Sequence, residues 1–346
     1  MDMGFGFVIA RLASALATIL GAIALWAPAS HAQGDTVARE KVEVRFTWQF
    51  KGEHAPLFIA LEKGFYADEG LDVQLTEGSG AETVVKIVAQ GIDTIGFGPA
   101  TTVAEAIGND LPVQMVAVYE PKTPIGLMSF PDVQLKTPKD LEGRTLGLTA
   151  NESFSHLWAP FAKLNGVDLT KVRKVVLDYS SRNGLFISRK IDVQSTFLNV
   201  DVPMMEKKTG THFNTLKVSD FGLQLLGGGL FVNDEYAKSH PETLRKLLRA
   251  TAKGYRAAHE DPKAAVAALS KHLRVKLPED VLEQQLNITM DDVPTTGDKP
   301  LGWQDPAEWR ANIDLLRQIG VIKSSKASTY YYTNRYLLGI NGRQEQ

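Results

Sequence analysis

Val42-Glu-Val-Arg-Phe-Thr-Trp48 alternates apolar with polar side chains, then passes through Gln49-Phe-Lys-Gly-Glu-His54 into Pro56-Leu-Phe-Ile-Ala-Leu61 and on to Leu71-Asp-Val-Gln-Leu75. The period of two predicts a half-buried strand. Pro56 suits the first turn of a helix, whose apolar positions run through Phe65, and Gly70 suits its end. Leu71 to Leu75 then alternates again. Strand, helix and strand within some thirty residues is the repeating unit of an α/β sheet.

The rhythm continues outward from this opening. Ala81 to Gln90 predicts a second helix with Gly91 as its stop, Thr94 to Phe97 a third strand, Thr101 to Ile107 a helix and Val113 to Val118 a fourth strand. A second series begins at Thr137-Pro138, a cap followed by a proline in the first turn. Strands over Thr145–Thr149, Val172–Leu177 and Asp192–Phe197 follow, with a helix over Ser155–Leu164. Gly227-Gly228-Gly229 breaks the text, and helical patterns dominate afterwards. Ser239 with Glu242, Asp261 before Pro262, and Asp305 before Pro306 are the predicted caps. Trp309, Ile313 and Leu316 fall on one helical face.

A chain of 346 residues suggests two lobes. With 38 basic and 40 acidic side chains it has no basic face for nucleic acid. The absence of cysteine excludes disulfides, thiolate nucleophiles and thiolate metal centres. Leu12 to Ala27 is apolar, preceded by Arg11 and followed by Ser30-His31-Ala32, with small residues at the −3 and −1 positions of a signal-peptidase site. That core is shorter than the roughly 20 residues a spanning helix needs. Cleavage after Ala32 and a free, periplasmic mature protein are therefore expected.

The sequence contains no G-x-S-x-G elbow, Walker loop or H-E-x-x-H helix, and its histidines are scattered, so neither a catalytic nor a metal site is expected. Binding is the better prospect. In open α/β sheets, ligands collect beyond the carboxyl ends of strands. Three such ends stand out. Trp48 offers a stacking face, although the phase of Val44 and Phe46 would equally carry it into the core. Gly98-Pro99-Ala100-Thr101-Thr102 supplies hydroxyls and helix N-terminal amides. Asn151-Glu152-Ser153 follows the strand ending at Thr149. Asn199, just beyond Phe197, occupies a fourth edge.

The run His54-Ala-Pro-Leu-Phe-Ile-Ala-Leu-Glu-Lys-Gly-Phe-Tyr66, with Phe46-Thr-Trp48 before it and Glu69-Gly-Leu-Asp-Val73 after it, resembles the opening of the thiamine-biosynthesis-like substrate-binding proteins of ABC importers, relatives of nitrate, sulfonate and taurine binders. The likeness continues through Gly91-Ile-Asp93, Thr137 to Gly143, Leu230-Phe-Val-Asn233, Pro300-Leu-Gly-Trp303 and Tyr331-Tyr-Thr-Asn334. It implies a two-lobed type II periplasmic-binding-protein fold with the ligand cleft between lobes. Signal peptide 1–32, a discontinuous first lobe of 41–130 plus 228–346, and a second lobe of 131–227 are the expected divisions. The implied partners are a small-molecule ligand and an inner-membrane ABC permease with its ATPase, with the protein itself a monomer and no cofactor. The resemblance further implies that Trp48 and His54 read a thiamine pyrimidine precursor. Glu53, Glu152 and Asp201 suit a ring bearing amino groups better than an anion, with a riboflavin-like ring next and a sulfonate- or nitrate-type anion after it. A last alternative is a pyrimidine-precursor synthase. Those enzymes, by resemblance, need a clustered-cysteine iron motif that this chain lacks.

Overall fold

Among the described residues, ten strands form where the sequence alternates or runs apolar between glycine and proline breaks. The computed structural model describes residues 38–339 except 151, 295 and 296. The expected signal segment, 1–32, and Asn151 lie outside the described residues. The strands are β1 (Glu40–Phe46), β2 (Leu71–Thr76), β3 (Ile95–Pro99), β4 (Val113–Val118), β5 (Ile125–Ser129), β6 (Thr145–Thr149), β7 (Arg173–Leu177), β8 (Val193–Phe197), β9 (Asn214–Lys217) and β10 (Gly228–Asn233). They build two five-stranded sheets, ordered β2-β1-β3-β10-β4 and β7-β6-β8-β5-β9.

The two sheets share one plan. In each, three neighbouring strands run parallel, as helical crossovers require, and the fourth position is filled by an antiparallel strand. That strand is β10 in the first sheet, paired with β3 and β4, and β5 in the second, paired with β8 and β9. Each comes from across the boundary in the chain. The chain therefore leaves the first sheet after Val118, completes the second between Ile125 and Lys217, and returns at Gly228.

The expected division at residue 130 falls just after β5. Ile125 to Ser129, on the first-lobe side of that boundary, pairs as a strand only with β8 and β9 of the second sheet. Gly228 and Gly229, expected as a flexible break, instead open β10. Gly229 is glycine because a Cβ would lie 2.0 Å from the Ala117 carbonyl oxygen. Two helical expectations also change. The helix beginning at Ala55 ends at Glu62, where Gly64 turns left-handed (φ 77°), and a separate turn spans Phe65–Asp68. Ser239 does not cap: its hydroxyl donates back to the Glu235 and Tyr236 carbonyls, inside the preceding helix. Asp261 and Asp305 do cap, accepting the Ala264 amide and the Ala307 and Glu308 amides.

The first sheet's core joins Val44, Phe46, Ile95 and Phe97 to helices Ala55–Glu62 and Pro241–Glu260. Burial of such side chains contributes roughly 1.5–3 kcal/mol each. Trp309, Ile313 and Leu316 are buried together as their spacing predicts, in a second cluster that reaches from Val103 to Leu148 and spans both sheets. This packing brings the carboxyl ends of the two sets of parallel strands to one cavity.

Candidate functional site

The cavity measures about 450 Å³. Its walls are the segments that leave the carboxyl ends of β1, β2, β6, β7 and β8. From the first sheet come Trp48, Gln49, Lys51 and Glu53 after β1, and Gly78 and Ser79 after β2. From the second come Thr149, Glu152, Ser153 and Phe154 after β6, Asp178, Tyr179 and Arg182 after β7, and Ser195 to Phe197, Val200 and Asp201 around the end of β8. Such a cleft, part aromatic and part polar, is of a size that takes a small organic molecule.

Trp48 leaves the core phase of its strand. Val42, Val44 and Phe46 are buried, whereas Trp48 is half-buried and faces Tyr179 with ring centroids 5.7 Å apart. Tyr179 donates its hydroxyl to Asp201 Oδ1 at 3.2 Å. Arg182, only 2% exposed, ties this wall together. Its Nη1 donates to Thr149 Oγ1 (3.1 Å) and Glu152 Oε2 (3.2 Å), its Nη2 to Asp201 Oδ2 (3.0 Å), and its guanidinium carbon lies 5.1 Å from the Tyr179 ring centre. Glu152 Oε1 also accepts the Thr149 amide at 3.0 Å and the Ser195 hydroxyl. Burial pushes the Glu152 carboxyl up, and Arg182 opposes that shift.

Glu53 closes the opposite wall. Its Oε2 accepts Asn199 Nδ2 at 2.9 Å, and the same nitrogen donates to Thr289 Oγ1. His54 lies behind it, not in the cavity lining, boxed by Phe46, Phe50 and Phe97. Its Nδ1 accepts the Lys51 amide at 3.0 Å, which leaves the ring proton on Nε2, 3.3 Å from Glu53 Oε1. Burial drives the imidazole down to about 3, so it is neutral. Burial, together with Glu120, pushes the Glu53 carboxyl up to about 8. Lys51 is lowered by its own burial, against the fields of Asp201, Glu53 and Glu77.

Of the residues singled out from sequence, Trp48, Glu152 and Ser153 line the cavity. Asn199 and His54 stand one layer behind, both holding Glu53. Gly98, Pro99, Ala100 and Thr101 do not line it. The Ala100 amide, expected to face a ligand, donates to the Gly227 carbonyl at 2.8 Å, and a Cβ at Gly98 would lie 2.3 Å from Thr47 Cγ2. The returning β10 occupies that edge. Tyr179, Arg182 and Ser195 were not foreseen as site residues, although the strand-end rule applied to β7 would have marked Asp178 and Tyr179.

Further contacts join the two sheets' elements around the cavity. Gln285 accepts the Gly52 amide at 2.9 Å and donates to the Val200 carbonyl at 2.8 Å. Lys207 pairs with Asp280 at 2.5 Å, the Thr102 and Ser153 hydroxyls meet at 3.0 Å, and His156 meets Glu82 at 2.5 Å.

Among known proteins, the formylaminopyrimidine-binding protein of Halalkalibacterium halodurans is 25% identical over 287 residues, 82% of this chain and 86% of that one. The riboflavin-binding protein RibY of Chloroflexus aurantiacus is 22% identical over 324 residues, 90% of each. The solved periplasmic aliphatic sulphonate binding protein SsuA of Escherichia coli superimposes with a TM-score of 0.65 at 15% identity, covering 85% of this chain and 92% of that one. That likeness shows the fold, α/β with the two lobes of periplasmic binding proteins. The NMT1/THI5-like family model matches residues 51–265, well over half of the 346, and the chain belongs to that family.

Proposed function

We propose that this protein is the solute-binding subunit of an ABC importer and captures a small aromatic heterocycle, first among them a thiamine pyrimidine precursor. The observation that carries this reading is the Trp48–Tyr179 pair in the lining of a cavity where four carboxylic side chains, Glu53, Glu152, Asp178 and Asp201, outnumber the two basic ones, Lys51 and Arg182. Flat rings on either side suit an aromatic ligand, and acidic side chains with the Ser153, Ser195 and Thr196 hydroxyls suit its nitrogen-bearing edge. The relatives named for formylaminopyrimidine and riboflavin support an aromatic ring of this kind.

In this reading Trp48, Tyr179, Glu152 and Ser153 touch the ligand, and His54 and Asn199 position Glu53. The lobes centre on the two sheets and hinge at 119–124 and 218–227, closing on the ligand by bending there. The protein works in the periplasm after cleavage at Ala32, delivering its ligand to an inner-membrane permease with an ATPase subunit, without turnover of its own. N-terminal sequencing of the periplasmic form should then begin at Gln33.

Native mass spectrometry of the protein as purified tests the ligand reading. A co-purifying mass that matches an aminopyrimidine or a flavin supports it, and one that matches an aliphatic sulfonate overturns it. Incubation with pyridoxal phosphate tests the synthase alternative, for which Schiff-base absorbance would be the positive sign.

A further inference from the structure

Three helices open on the cavity from the second sheet: Ser153–Leu164, Tyr179–Ile187 and Asp201–Thr209. Helix N-termini are natural anion sites, with unsatisfied amides and the positive end of the dipole. Each of these three carries a carboxylate of this chain at its first turn or immediately before it: Glu152, Asp178 and Asp201. None of them caps its helix by a hydrogen bond, but each sets a negative charge beside the positive helix end that an anionic ligand would seek.

The terminal nitrogens of the buried arginine are committed as well. An arginine that receives an anionic ligand presents two N–H groups on an open edge. Both terminal nitrogens of Arg182 are given to Glu152, Asp201 and Thr149, and the side chain is 2% exposed. Lys51, the other basic group in the lining, stands in the field of Asp201, Glu53 and Glu77. Asp178 is exposed at the rim, with no hydrogen bond from its side chain, and adds negative potential at the entrance. With Glu53 protonated, three carboxylates still face two cations.

We propose that this cleft sorts ligands by charge, admitting a neutral or cationic ring that bears N–H donors and refusing the same ring when it carries a phosphate or sulfonate. Glu152, Asp178 and Asp201 are the specificity-determining residues, and Arg182 is the strut that holds two of them. The inference deepens the reading of the cleft as an aromatic-heterocycle site and rests on it.

Calorimetry with 4-amino-5-hydroxymethyl-2-methylpyrimidine, its phosphate ester, riboflavin, inorganic phosphate and MOPS tests it. The phosphate ester should bind at least about a hundredfold more weakly than the parent alcohol, because like charges juxtaposed in a binding site cost several kcal/mol. Asp178→Asn, at an exposed position that leaves folding intact, should narrow that ratio several-fold at low salt, and the effect should shrink at high salt. Equal or tighter binding of the ester, or measurable binding of phosphate or MOPS, overturns charge selection. An unchanged ratio in both Asp178→Asn and Glu152→Gln removes those residues from the role. If neither heterocycle binds, the aromatic-ring reading fails and charge selection falls with it, whereas a ring bound no more tightly than its phosphate ester overturns charge selection alone.

Discussion

Trp48 and Tyr179, from opposite sheets, face each other with ring centroids 5.7 Å apart and planes inclined by 34°. A flat ring inserted between them needs more room than this, so the pair must part to admit it and then hold both its faces. In the proposed reading, closure and stacking are in this way one event.

Replacement of Trp48 by alanine is expected to weaken ligand binding by about 1–3 kcal/mol, one to two decades in Kd, with little change in Tm because the side chain lies outside the core. Calorimetry read beside a thermal melt checks this. A lowered Tm with unchanged affinity would return Trp48 to a packing role. Quenching of tryptophan fluorescence on binding should also shrink sharply in Trp48→Phe; if it does not, Trp158 or Trp303 is the reporter.

Glu53 gives a pH signature. Its carboxyl, pushed up to about 8 by burial and Glu120, keeps a proton between pH 4.5 and 8 that the unfolded chain has released. Stability therefore falls as pH rises through that window. Glu53→Gln removes this term, so its stability relative to the native protein should grow from pH 5 to pH 8, by up to about 1.4 kcal/mol per unit. Glu120, raised to about 7, leaves part of the slope in both proteins. Urea unfolding at the two pH values decides; a constant difference would refute the assignment. His54, held down at about 3, acts in the opposite sense, withdrawing stability as pH falls below 6.5 toward 3.

Arg182→Met should destabilise the fold by about 3–5 kcal/mol, because it leaves the Glu152 and Asp201 carboxylates without their counter-charge in a buried wall. Part of the loss should return in acid, because burial pushes the Glu152 carboxyl up and so favours its neutral form. Denaturant melts at pH 4 and 7 measure it.

Gly254→Ala tests the helix crossing behind the first sheet. A Cβ there would lie 2.2 Å from the Pro56 carbonyl oxygen and 2.6 Å from Ala60 Cβ. Overpacking of this kind costs about 1–3 kcal/mol, which outweighs the roughly 1 kcal/mol that alanine gains over glycine within a helix. A stabilised variant would show that the two helices separate easily.

Small-angle scattering should register a smaller radius of gyration with saturating ligand than without. Asn199→Ala, which frees Glu53 from Thr289 and from the second sheet's wall, should raise the off-rate. Identical scattering curves would exclude hinge closure.

The parallel strands were legible because β1 and β2 bury one face and so alternate. Ile125-Gly-Leu-Met-Ser129 is buried throughout like the expected Thr145–Thr149, but it follows β4 with no helical pattern between them, and the Pro124 and Pro131 flanks fit loop as well as strand. The site divides in the same manner. Trp48, Glu152 and Ser153 follow from a local rule about strand ends. The failure at Gly98 to Thr101 is non-local: the Gly227 carbonyl, just ahead of β10 and more than a hundred residues on, takes the Ala100 amide, and Thr47, just after β1, fills the space at Gly98. Arg182 announces itself only through partners on two other segments, those at the ends of β6 and β8.

The placement of β10 also orders the making of the molecule. Every strand of the second sheet lies between residues 125 and 217, so that sheet can pair fully while the remainder of the chain is still emerging. The first sheet cannot. Its edge strand β4 has no strand neighbour until residues 228–233 arrive to join it to β3. A chain interrupted before residue 228 would carry one finished sheet and one with an orphaned strand, and a cavity with only one wall secured.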